Sequence, residues 1–297
     1  MRRQKQIKTI LISGATGFLG SNILKRLVDQ NHKVVILKRS FSNTERIDDY
    51  LKKIKYYDID KVKLDKCFLE NNIDAFIHCA TDYGRKKIDP MQIIDSNLIF
   101  PLKLMEIAIN NNCKIFLNTD TILDKRVNSY SLSKSQFLDW FKIYSEKAIC
   151  INIVLEHFYG PFDDKSKFVA SIIKKLVNNE SHINFTLGEQ KRDFIYIDDV
   201  VDGWVACVND KINVNQTYNL GSGVKSFVGE MINEIIDVEG KTGTVEIEVV
   251  GGTPGDLKGC YADITKIKKQ LNFEPKTSLK EGLKKFKLWA DQKYSKL

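Results

Sequence analysis

The chain has 297 residues, of which 43% are hydrophobic and 28% charged, and its formal net charge is +8. This composition is that of an ordinary globular protein with one large domain or two smaller ones. No apolar run approaches the roughly 20 residues of a membrane-spanning helix, and the apolar stretch after the basic start is too short for a signal peptide. We therefore expect a cytoplasmic protein without a membrane segment.

The positive charge favours an anionic partner. The Lys and Arg residues are spread along the chain without a long basic block or an aromatic-interleaved repeat, so no nucleic-acid partner is expected. The first explanation of the charge is a bias of composition toward Lys, Asn and Ile. The second is binding of a phosphorylated small molecule.

The cysteines are scattered, and none forms a C-x-x-C pair; they are Cys67, Cys79, Cys113, Cys150, Cys207 and Cys260. We expect reduced, mostly buried thiols. Because the four His residues also lack the spacing of metal ligands, no metal site is predicted.

The first half of the chain alternates apolar runs with helical patterns. Strands are predicted at 8–14, 33–40, 74–81, 113–120 and 148–156, with a short strand that ends at Tyr56 and Tyr57. Helices are predicted at 21–31, 96–112 and 130–147, with Pro101 near the start of the second. Strands that alternate with helices predict an α/β fold with a doubly wound parallel sheet of the Rossmann type.

After about residue 157 this rhythm weakens. Helices are predicted after "GPFDDKS", within "IDDVVDGWVACV", in "DITKIKKQL" and at the end of the chain, with strands near "DFIY", "QTYNL" and "TVEIEVV". We expect these segments to form a smaller α/β region.

The motif "GATGFLG" joins the first strand to the first helix. Gly14 permits a tight turn, Gly17 lets the backbone approach a pyrophosphate, and Gly20 lets the helix pack closely against the sheet. Backbone N–H groups at a helix start attract phosphate, so the motif predicts dinucleotide binding. The expected contacts are Gly14, Thr16, Gly17, Phe18, Leu19 and Gly20. A glycine turn kept for packing is the alternative.

The second strand ends in "LKRS" rather than in an acidic residue. An acid there would hold the ribose 2′-hydroxyl of NAD, whereas Lys38, Arg39 and Ser40 offer cations and a hydroxyl to the 2′-phosphate of NADP. Asp58 and Ile59, after the third strand, are expected to border the adenine. The alternative is an exposed basic corner.

Tyr130 and Lys134 lie four residues apart at a predicted helix start and therefore share one helix face. A tyrosine has a pKa near ~10, and a neighbouring ammonium stabilises tyrosinate, so the phenol can exchange a proton more easily. Thr119 ends the preceding strand and can hold a substrate oxygen nearby. Two other Tyr-x-x-x-Lys patterns occur, but neither opens a helix after a strand that ends in Thr.

Together with "HFYGP", "RDFIYIDDVVDG", "NLGSG" and the C-terminal "PGDLKGCYADITKIKKQLNFEPKTSLKEGL", these motifs resemble the extended short-chain dehydrogenase/reductase family, of the NAD-dependent epimerase/dehydratase type. The resemblance covers almost the whole chain in order. Within the family the chain is most similar to 4-keto-6-deoxy sugar nucleotide reductases of the CDP-abequose synthase type.

The resemblance implies that Tyr130 is the proton donor, that Lys134 holds the nicotinamide ribose and tunes Tyr130, and that Thr119 binds the sugar C4 oxygen. It adds Ala80 and Asn97 to the residues near the NADP cofactor. The implied substrate-binding residues are Thr119, Asp120, Thr121, His157, Lys167, Phe168 and Arg192.

Alternatives stay open for two of these residues. Arg192 could form a surface salt bridge with Asp193, and His157 could be a packed core histidine. The related dehydratases carry an Asp-Glu pair after the catalytic Thr, whereas this chain has Asp120 and Thr121. A dehydratase is disfavoured because the base for the C5 proton is missing.

The expected function is NADPH-dependent reduction of the C4 keto group of a CDP- or dTDP-linked 4-keto-6-deoxyhexose, for deoxysugar and surface polysaccharide (O-antigen, lipopolysaccharide) synthesis. The alternatives are a C4 epimerase with bound NAD and a non-catalytic NADP-binding member. The NADP-binding domain is expected at 1–156 and 196–221, and the nucleotide-sugar-binding region at 157–195 and 222–297.

The resemblance also implies a homodimer through the helices at 96–112 and 130–147. Alternatively, Phe137, Trp140, Phe141 and Tyr144 belong wholly to the core of one chain.

Overall fold

The computed structural model describes residues 7–84, 89–185, 188–209, 212, 214–249 and 259–294. It divides the chain into two compact units. The first comprises Met1–Leu155 and Val201–Tyr218, and the second comprises Glu156–Val200 and Asn219–Leu297. Most of the predicted Gly-Pro loop lies outside the described residues.

In chain order, the strands of the described residues are β1 (Thr9–Ser13), β2 (Lys33–Lys38), β3 (Lys55–Asp58), β4 (Ala75–His78), β5 (Ile115–Thr121), β6 (Ile149–Leu155), β7 (His157–Tyr159), β8 (His182–Phe185), β9 (Lys191–Arg192), β10 (Phe194–Tyr196), β11 (Gln216–Leu220), β12 (Ser226–Phe227) and β13 (Glu246–Val249).

The α-helices of the same residues are α1 (Phe18–Asp29), α2 (Lys66–Leu69), α3 (Pro90–Ile94), α4 (Phe100–Asn110), α5 (Ser129–Tyr144), α6 (Phe168–Val177), α7 (Ile197–Asn209), α8 (Val228–Val238), α9 (Thr265–Leu271) and α10 (Leu279–Tyr294). A 3₁₀ helix covers Asp48–Lys53, and a π-helical turn covers Asp95–Ile99.

A seven-stranded sheet forms the centre of the first unit, in the order β11-β6-β5-β4-β1-β2-β3. The pairings from β3 through β6 are parallel. Ile10, Leu11 and Ile12 of β1 are fully buried, as expected for a strand that helices cover on both faces. The strand order reverses between β1 and β4, where doubly wound sheets bind their ligands. The predicted Rossmann fold is confirmed.

The helical segment from α3 to α4 contains the π-helical turn Asp95–Ile99. The backbone N–H of Phe100 donates to the carbonyl oxygen of Asp95, five residues earlier. Pro101 follows this turn, and a proline cannot donate a backbone hydrogen bond and would collide with the carbonyl of an ordinary preceding turn. The wider turn accommodates Pro101 and leaves Asn97 completely buried.

The sequence predicted the main strands of the first unit within a few residues, but α1 begins three residues before the predicted start, inside the glycine motif. The predicted helix at 96–112 begins earlier, because Asp89 caps the segment: its carboxylate accepts hydrogen bonds from the backbone of Met91 and Gln92.

The second unit contains three two-stranded sheets. Strands β7 and β10 pair in parallel, β9 and β12 antiparallel, and β8 and β13 in parallel. The sequence analysis missed β7, β8, β9 and β12, since two- to four-residue strands show almost no periodicity. It also missed α8, although Met231, Ile232, Ile235 and Ile236 recur at helical spacing. The C-terminal helix α10 contributes Trp289, whose ring contacts Phe162 at a centroid distance of 5.0 Å.

No helix of the described residues has the length and apolar character needed to cross a membrane. None of the six cysteines forms a disulfide; five are buried, and Cys79 is partly buried. The predicted burial of most thiols is thus confirmed.

Candidate active site

The glycine turn between β1 and α1 fits a phosphate-bearing ligand. Gly14 has a φ of +74°, and a side chain there would overlap the backbone of Ala80. A methyl group on Gly20 would overlap the carbonyl of Gly14. No side chain caps the start of α1 at Gly17, so the N–H groups of the first helical turn stay available to a ligand.

The side chains of Phe18 and Leu19 are buried, so both residues can offer a ligand only their backbone. The half-buried Thr16 accepts a hydrogen bond through its carbonyl oxygen from the Arg46 guanidinium, at 3.4 Å. Sequence reasoning missed Arg46, because no motif marks this position in the loop after β2. Arg46 brings a positive charge to the glycine turn.

The predicted 2′-phosphate residues differ in their surroundings. The ammonium of Lys38 pairs with the carboxylate of Asp58 at 2.5 Å, and both the backbone and the hydroxyl of Ser40 donate to Asp60 at 2.7 and 2.6 Å. Arg39 is exposed and forms no ion pair among the described residues.

The guanidinium of Arg39 lies over the ring of Phe41, 4.9 Å from its centroid. Arg39 is therefore the predicted residue whose charge is most available to an anion. The half-buried Ile59 continues the pairing of β2 and β3, because its N–H donates to the carbonyl oxygen of Lys38 at 2.9 Å.

A capping box fixes the start of α5. The side chain of Asn128 accepts from the N–H of Ser131 at 2.8 Å, and the Ser131 hydroxyl accepts from the N–H of Asn128 at 3.3 Å. The cap holds Tyr130 and Lys134 one helical turn apart. The half-buried Tyr130 packs its ring against Tyr83, with centroids 4.9 Å apart.

Lys134 is 2% exposed. Its ammonium has no hydrogen-bond partner among the described residues. Burial lowers the pKa of Lys134, while Asp120 and Cys79 oppose this shift. A buried ammonium without a hydrogen-bond partner is costly, and hydroxyl groups of a ligand would supply the missing acceptors.

Thr119 lies near the end of β5 and contacts Cys79, one of the two groups that interact electrostatically with the Lys134 ammonium. Its hydroxyl donates to the carbonyl oxygen of His78 at 2.8 Å and lies 3.4 Å from the sulfur of Cys79. The Thr119 oxygen keeps acceptor capacity for another donor. Burial raises the pKa of Cys79 to about 12, so this thiol stays neutral near pH 7.

His78 is buried beneath these groups, and its Nδ1 lies 2.8 Å from the hydroxyl of Ser13. Burial, with a smaller contribution from the Lys134 charge, lowers the pKa of His78 well below its usual value. The imidazole is therefore neutral.

Asn97 uses all of its hydrogen-bonding capacity within the protein. Its oxygen accepts from the Thr81 hydroxyl at 3.1 Å and from the Asp82 N–H at 2.7 Å. Its amide nitrogen donates to the Asp82 carbonyl oxygen at 2.8 Å and to the Ser133 hydroxyl at 3.0 Å. Asn97 therefore joins the loop after β4 to the first turns of α5, which carry Tyr130.

Asp120 and Thr121 are also engaged. The Asp120 carboxylate accepts from the Asn152 amide and from the N–H of Thr121, each at 2.8 Å. The Thr121 hydroxyl accepts from the N–H of Leu123 at 3.3 Å. The Thr121 hydroxyl stands where related dehydratases have a glutamate, and it cannot act as the base that a dehydratase needs.

Arg192 and Asp193 belong to the second unit. Arg192 is only 9% exposed and donates to the carbonyl oxygen of Lys191 at 2.9 Å, so a surface salt bridge does not describe it. The Asp193 carboxylate accepts from the N–H and hydroxyl of Ser222 at 2.7 and 2.6 Å and from the N–H of Gly223 at 2.9 Å. These bonds join the "RDF" and "NLGSG" motifs.

The other predicted substrate residues of this unit surround Phe194. The partly exposed imidazole of His157 lies 6.0 Å from its ring centroid, and Phe168 stacks on it at 6.2 Å. The ammonium of Lys167 pairs with buried Asp163 at 3.1 Å.

Each unit thus gathers its own predicted residues. The first brings the end of β5 together with the start of α5, and the second brings His157 and Phe168 together. Sequence reasoning missed the contacts of Tyr83 with Tyr130 and of Ser133 with Asn97. Tyr83 begins one of the two other Tyr-x-x-x-Lys patterns, which the sequence analysis set aside, and Ser133 lies between Tyr130 and Lys134.

Comparison with known proteins extends these observations. The chain is 32% identical over 289 residues to CDP-abequose synthase of Salmonella muenchen, which covers 94% of this chain and 96% of that protein. UDP-glucose 4-epimerase of Thermotoga maritima with UDP-glucose has a TM-score of 0.85 at 23% identity, over 96% of this chain and 99% of that one.

UDP-glucuronic acid 4-epimerase of Bacillus cereus, in complex with UDP-glucuronic acid and NAD, has a TM-score of 0.84 at 23% identity and covers 96% of this chain and 100% of that one. These two structural similarities concern the fold. Residues 10–221 match the profile of one family, in agreement with the motifs and the sheet topology. The chain belongs to the NAD dependent epimerase/dehydratase family.

Proposed function

We propose that this protein is an NADPH-dependent reductase of the C4 keto group in a nucleotide-linked 4-keto-6-deoxyhexose. The observation that carries the proposal is the buried Lys134 ammonium at the start of α5, which interacts electrostatically with Asp120 of β5 and with Cys79, the residue that the Thr119 hydroxyl contacts. Similarity to CDP-abequose synthase over nearly the full length supports this substrate class. The product would be a deoxysugar nucleotide for surface polysaccharide.

The first unit fits a dinucleotide. The uncapped start of α1 would hold the pyrophosphate, and the buried ammonium of Lys134 would bind the hydroxyls of the nicotinamide ribose. The reduced nicotinamide supplies the hydride that the C4 carbon receives.

Side chains of this protein then supply the proton that the C4 oxygen needs. Tyr130 donates its phenolic proton to the C4 oxygen as the carbonyl becomes an alcohol. Lys134 stabilises the tyrosinate that results. Thr119, whose own proton is given to the His78 carbonyl, accepts a hydrogen bond from the new hydroxyl.

The test compares Tyr130→Phe with Tyr57→Phe, which alters the same Tyr-x-x-x-Lys pattern outside the site. Purified protein is given NADPH with CDP- or dTDP-4-keto-6-deoxyhexose, and the product is identified by NMR. Loss of the proton donor should lower kcat by about 10²- to 10⁴-fold, with unchanged NADPH affinity, while Tyr57→Phe keeps full activity. Wild-type turnover in the Tyr130→Phe variant would refute the assignment.

We propose NADP rather than NAD because Arg39 is exposed and has no ion-pair partner among the described residues. A charge-assisted hydrogen bond contributes about 1.5–3 kcal/mol, so Arg39→Ala should weaken NADPH binding by about 10- to 150-fold and leave NADH binding unchanged. The control is Arg126→Ala, an exposed arginine paired with Asp124. An unaltered preference in the Arg39 variant would show that the phosphate is recognised elsewhere.

A C4 epimerase is the second candidate, because Tyr130, with Thr119 and Lys134, could also take the proton from a C4 hydroxyl. Bound NAD would be the hydride acceptor for C4 and, once reduced, the hydride donor to the other face of the keto sugar. Such an enzyme would retain NAD through purification and turn over without added NADPH. Assay of the untreated protein with a UDP-hexose distinguishes the two activities.

We also propose a homodimer through α4 and α5. Phe137, Phe141 and Tyr144 belong to the core, whereas Trp140 is 48% exposed. Trp140 borders an apolar groove of about 500 Å³ that includes Ile99 and Leu102. A second copy of the chain would cover this groove.

A further inference from the structure

Three potential metal ligands lie close together in the second unit. Glu156 and His157 are neighbours in the chain, and Cys260 follows about a hundred residues later. A carboxylate oxygen of Glu156, a ring nitrogen of His157 and the sulfur of Cys260 all lie within 4.8 Å of one another. The Nδ1 of His157 is 3.7 Å from a Glu156 oxygen. Sequence spacing gave no sign of this cluster, since Cys260 is remote from the other two residues.

The cluster contains polar atoms that the protein leaves unsatisfied. Both carboxylate oxygens of Glu156 and the Nδ1 of His157 are buried and lack a hydrogen-bond partner among the described residues. Glu156 is 4% exposed. A buried carboxylate is unfavourable unless it is paired with a cation or fully hydrogen-bonded. Within the cluster it interacts with the neutral Cys260 thiol, so the arrangement favours a positively charged ligand between these side chains.

The backbone holds the three residues in place. The N–H of Cys260 donates to the carbonyl oxygen of Lys191 at 3.0 Å, and the N–H of His157 donates to that of Asp193 at 3.1 Å. Since the side chains are short and their backbones are anchored, small rotations would bring three ligand atoms to distances suited to one ion.

The donor set selects the class of ion. Sulfur and imidazole nitrogen favour zinc and similar thiophilic ions, whereas Mg²⁺ and Ca²⁺ prefer oxygen ligands. Three protein ligands would leave a fourth tetrahedral position for water or another small ligand. The His157 side chain is 37% exposed, which gives an ion a route to the buried carboxylate.

The charges of the neighbourhood are compatible with a divalent cation. Burial raises the pKa of Cys260 to about 11; Glu156 adds to the shift, and Arg192 opposes it. A bound cation would replace the thiol proton. The Glu156 carboxylate, the resulting thiolate and nearby Asp193 carry three negative charges against the single positive charge of Arg192.

We propose that Glu156, His157 and Cys260 form a binding site for a thiophilic divalent cation, with zinc as the preferred ion. His157 is also one of the implied substrate-binding residues, but the test measures metal binding directly and is therefore independent of the reductase activity.

The test titrates the chelator-treated full-length protein with Co²⁺, followed by competition with Zn²⁺. We expect one equivalent of Co²⁺ to bind, with the near-ultraviolet sulfur-to-cobalt charge-transfer absorption that marks thiolate ligation, and Zn²⁺ to displace it. Cys260→Ser should abolish this absorption. The matched control Cys150→Ser, a buried cysteine of the first unit, should retain it.

Two further variants of similar size test the site separately, in case Cys260→Ser loses metal binding only because it does not fold. Loss of even an outer-shell partner weakens metal binding by about 10- to 100-fold, so Glu156→Gln and His157→Asn should each raise the Kd for Zn²⁺ by at least about 100-fold. Circular dichroism checks that both stay folded. Absence of the charge-transfer absorption in the wild type, its persistence in Cys260→Ser, or unchanged Zn²⁺ affinity in both isosteric variants would overturn the proposal.

Discussion

Replacement of Asn97 by alanine should destabilise the first unit strongly, although Asn97 lies outside the proposed reacting groups. The side chain makes four hydrogen bonds in a fully buried position. Each hydrogen bond contributes about 0.5–1.5 kcal/mol, so the four together contribute about 2–6 kcal/mol. We expect a loss of about 4 kcal/mol, since the backbone N–H and carbonyl oxygen of half-buried Asp82 would lose their partner and the buried Ser133 hydroxyl would keep only its bond to Tyr130.

The measurement is urea unfolding of Asn97→Ala and wild type at equal m-value. The control is Asn111→Ala, because the Asn111 amide makes one side-chain hydrogen bond, to the carbonyl oxygen of Ile107 at 2.8 Å. That variant should lose about 1 kcal/mol or less.

The same variant tests how the site is ordered. Asn97 bonds Ser133, whose hydroxyl donates to the carbonyl oxygen of Tyr130 at 2.8 Å. Asn97→Ala should therefore lower kcat at temperatures where the protein is fully folded. A loss of stability below about 1 kcal/mol, or no difference from Asn111→Ala, would refute the view that Asn97 joins the β4 loop to α5.

Three other predictions concern the first unit. His78 has a lowered pKa in the folded state and an ordinary pKa of about 6.5 after unfolding. Its contribution to the free energy of unfolding is therefore complete above about pH 6.5 and declines as the pH falls, by at most about 1.4 kcal/mol per pH unit. Thermal unfolding between about pH 5 and 7.5 should lose this slope in His78→Gln and keep it in the exposed control His182→Gln. Gly20→Ala should lower the free energy of unfolding by about 1–3 kcal/mol and abolish cofactor binding, because its methyl group overlaps the Gly14 carbonyl. In the control Gly229→Ala, the methyl group makes only ordinary contacts. Equal unfolding midpoints of the two variants would contradict the overlap. Trp140→Glu should give a monomer in sedimentation experiments at unchanged kcat, and an intact dimer would exclude this interface.

Long apolar runs made the central sheet predictable, because a strand buried on both faces needs a continuous hydrophobic segment. The position of Tyr130 at the start of a helix could also be predicted, since one strand pattern and one helix pattern are enough to locate it. The four hydrogen bonds of Asn97 and the approach of Arg46 to Thr16 depend on loop paths that no local pattern encodes. The meeting of Glu156 with Cys260 depends in the same way on long-range chain folding.

The π-helical turn before Pro101 makes the length of its segment critical. Each residue advances an α-helix by roughly 100°, so removal of a single amino acid between the Asp89 cap and Pro101 would restore a regular helix and swing Asn97 toward another side. Whichever end stayed anchored, the opposite end would present the wrong face to the sheet. This segment should therefore tolerate substitutions but not the deletion of one residue, even if the deletion leaves all the remaining side chains unchanged.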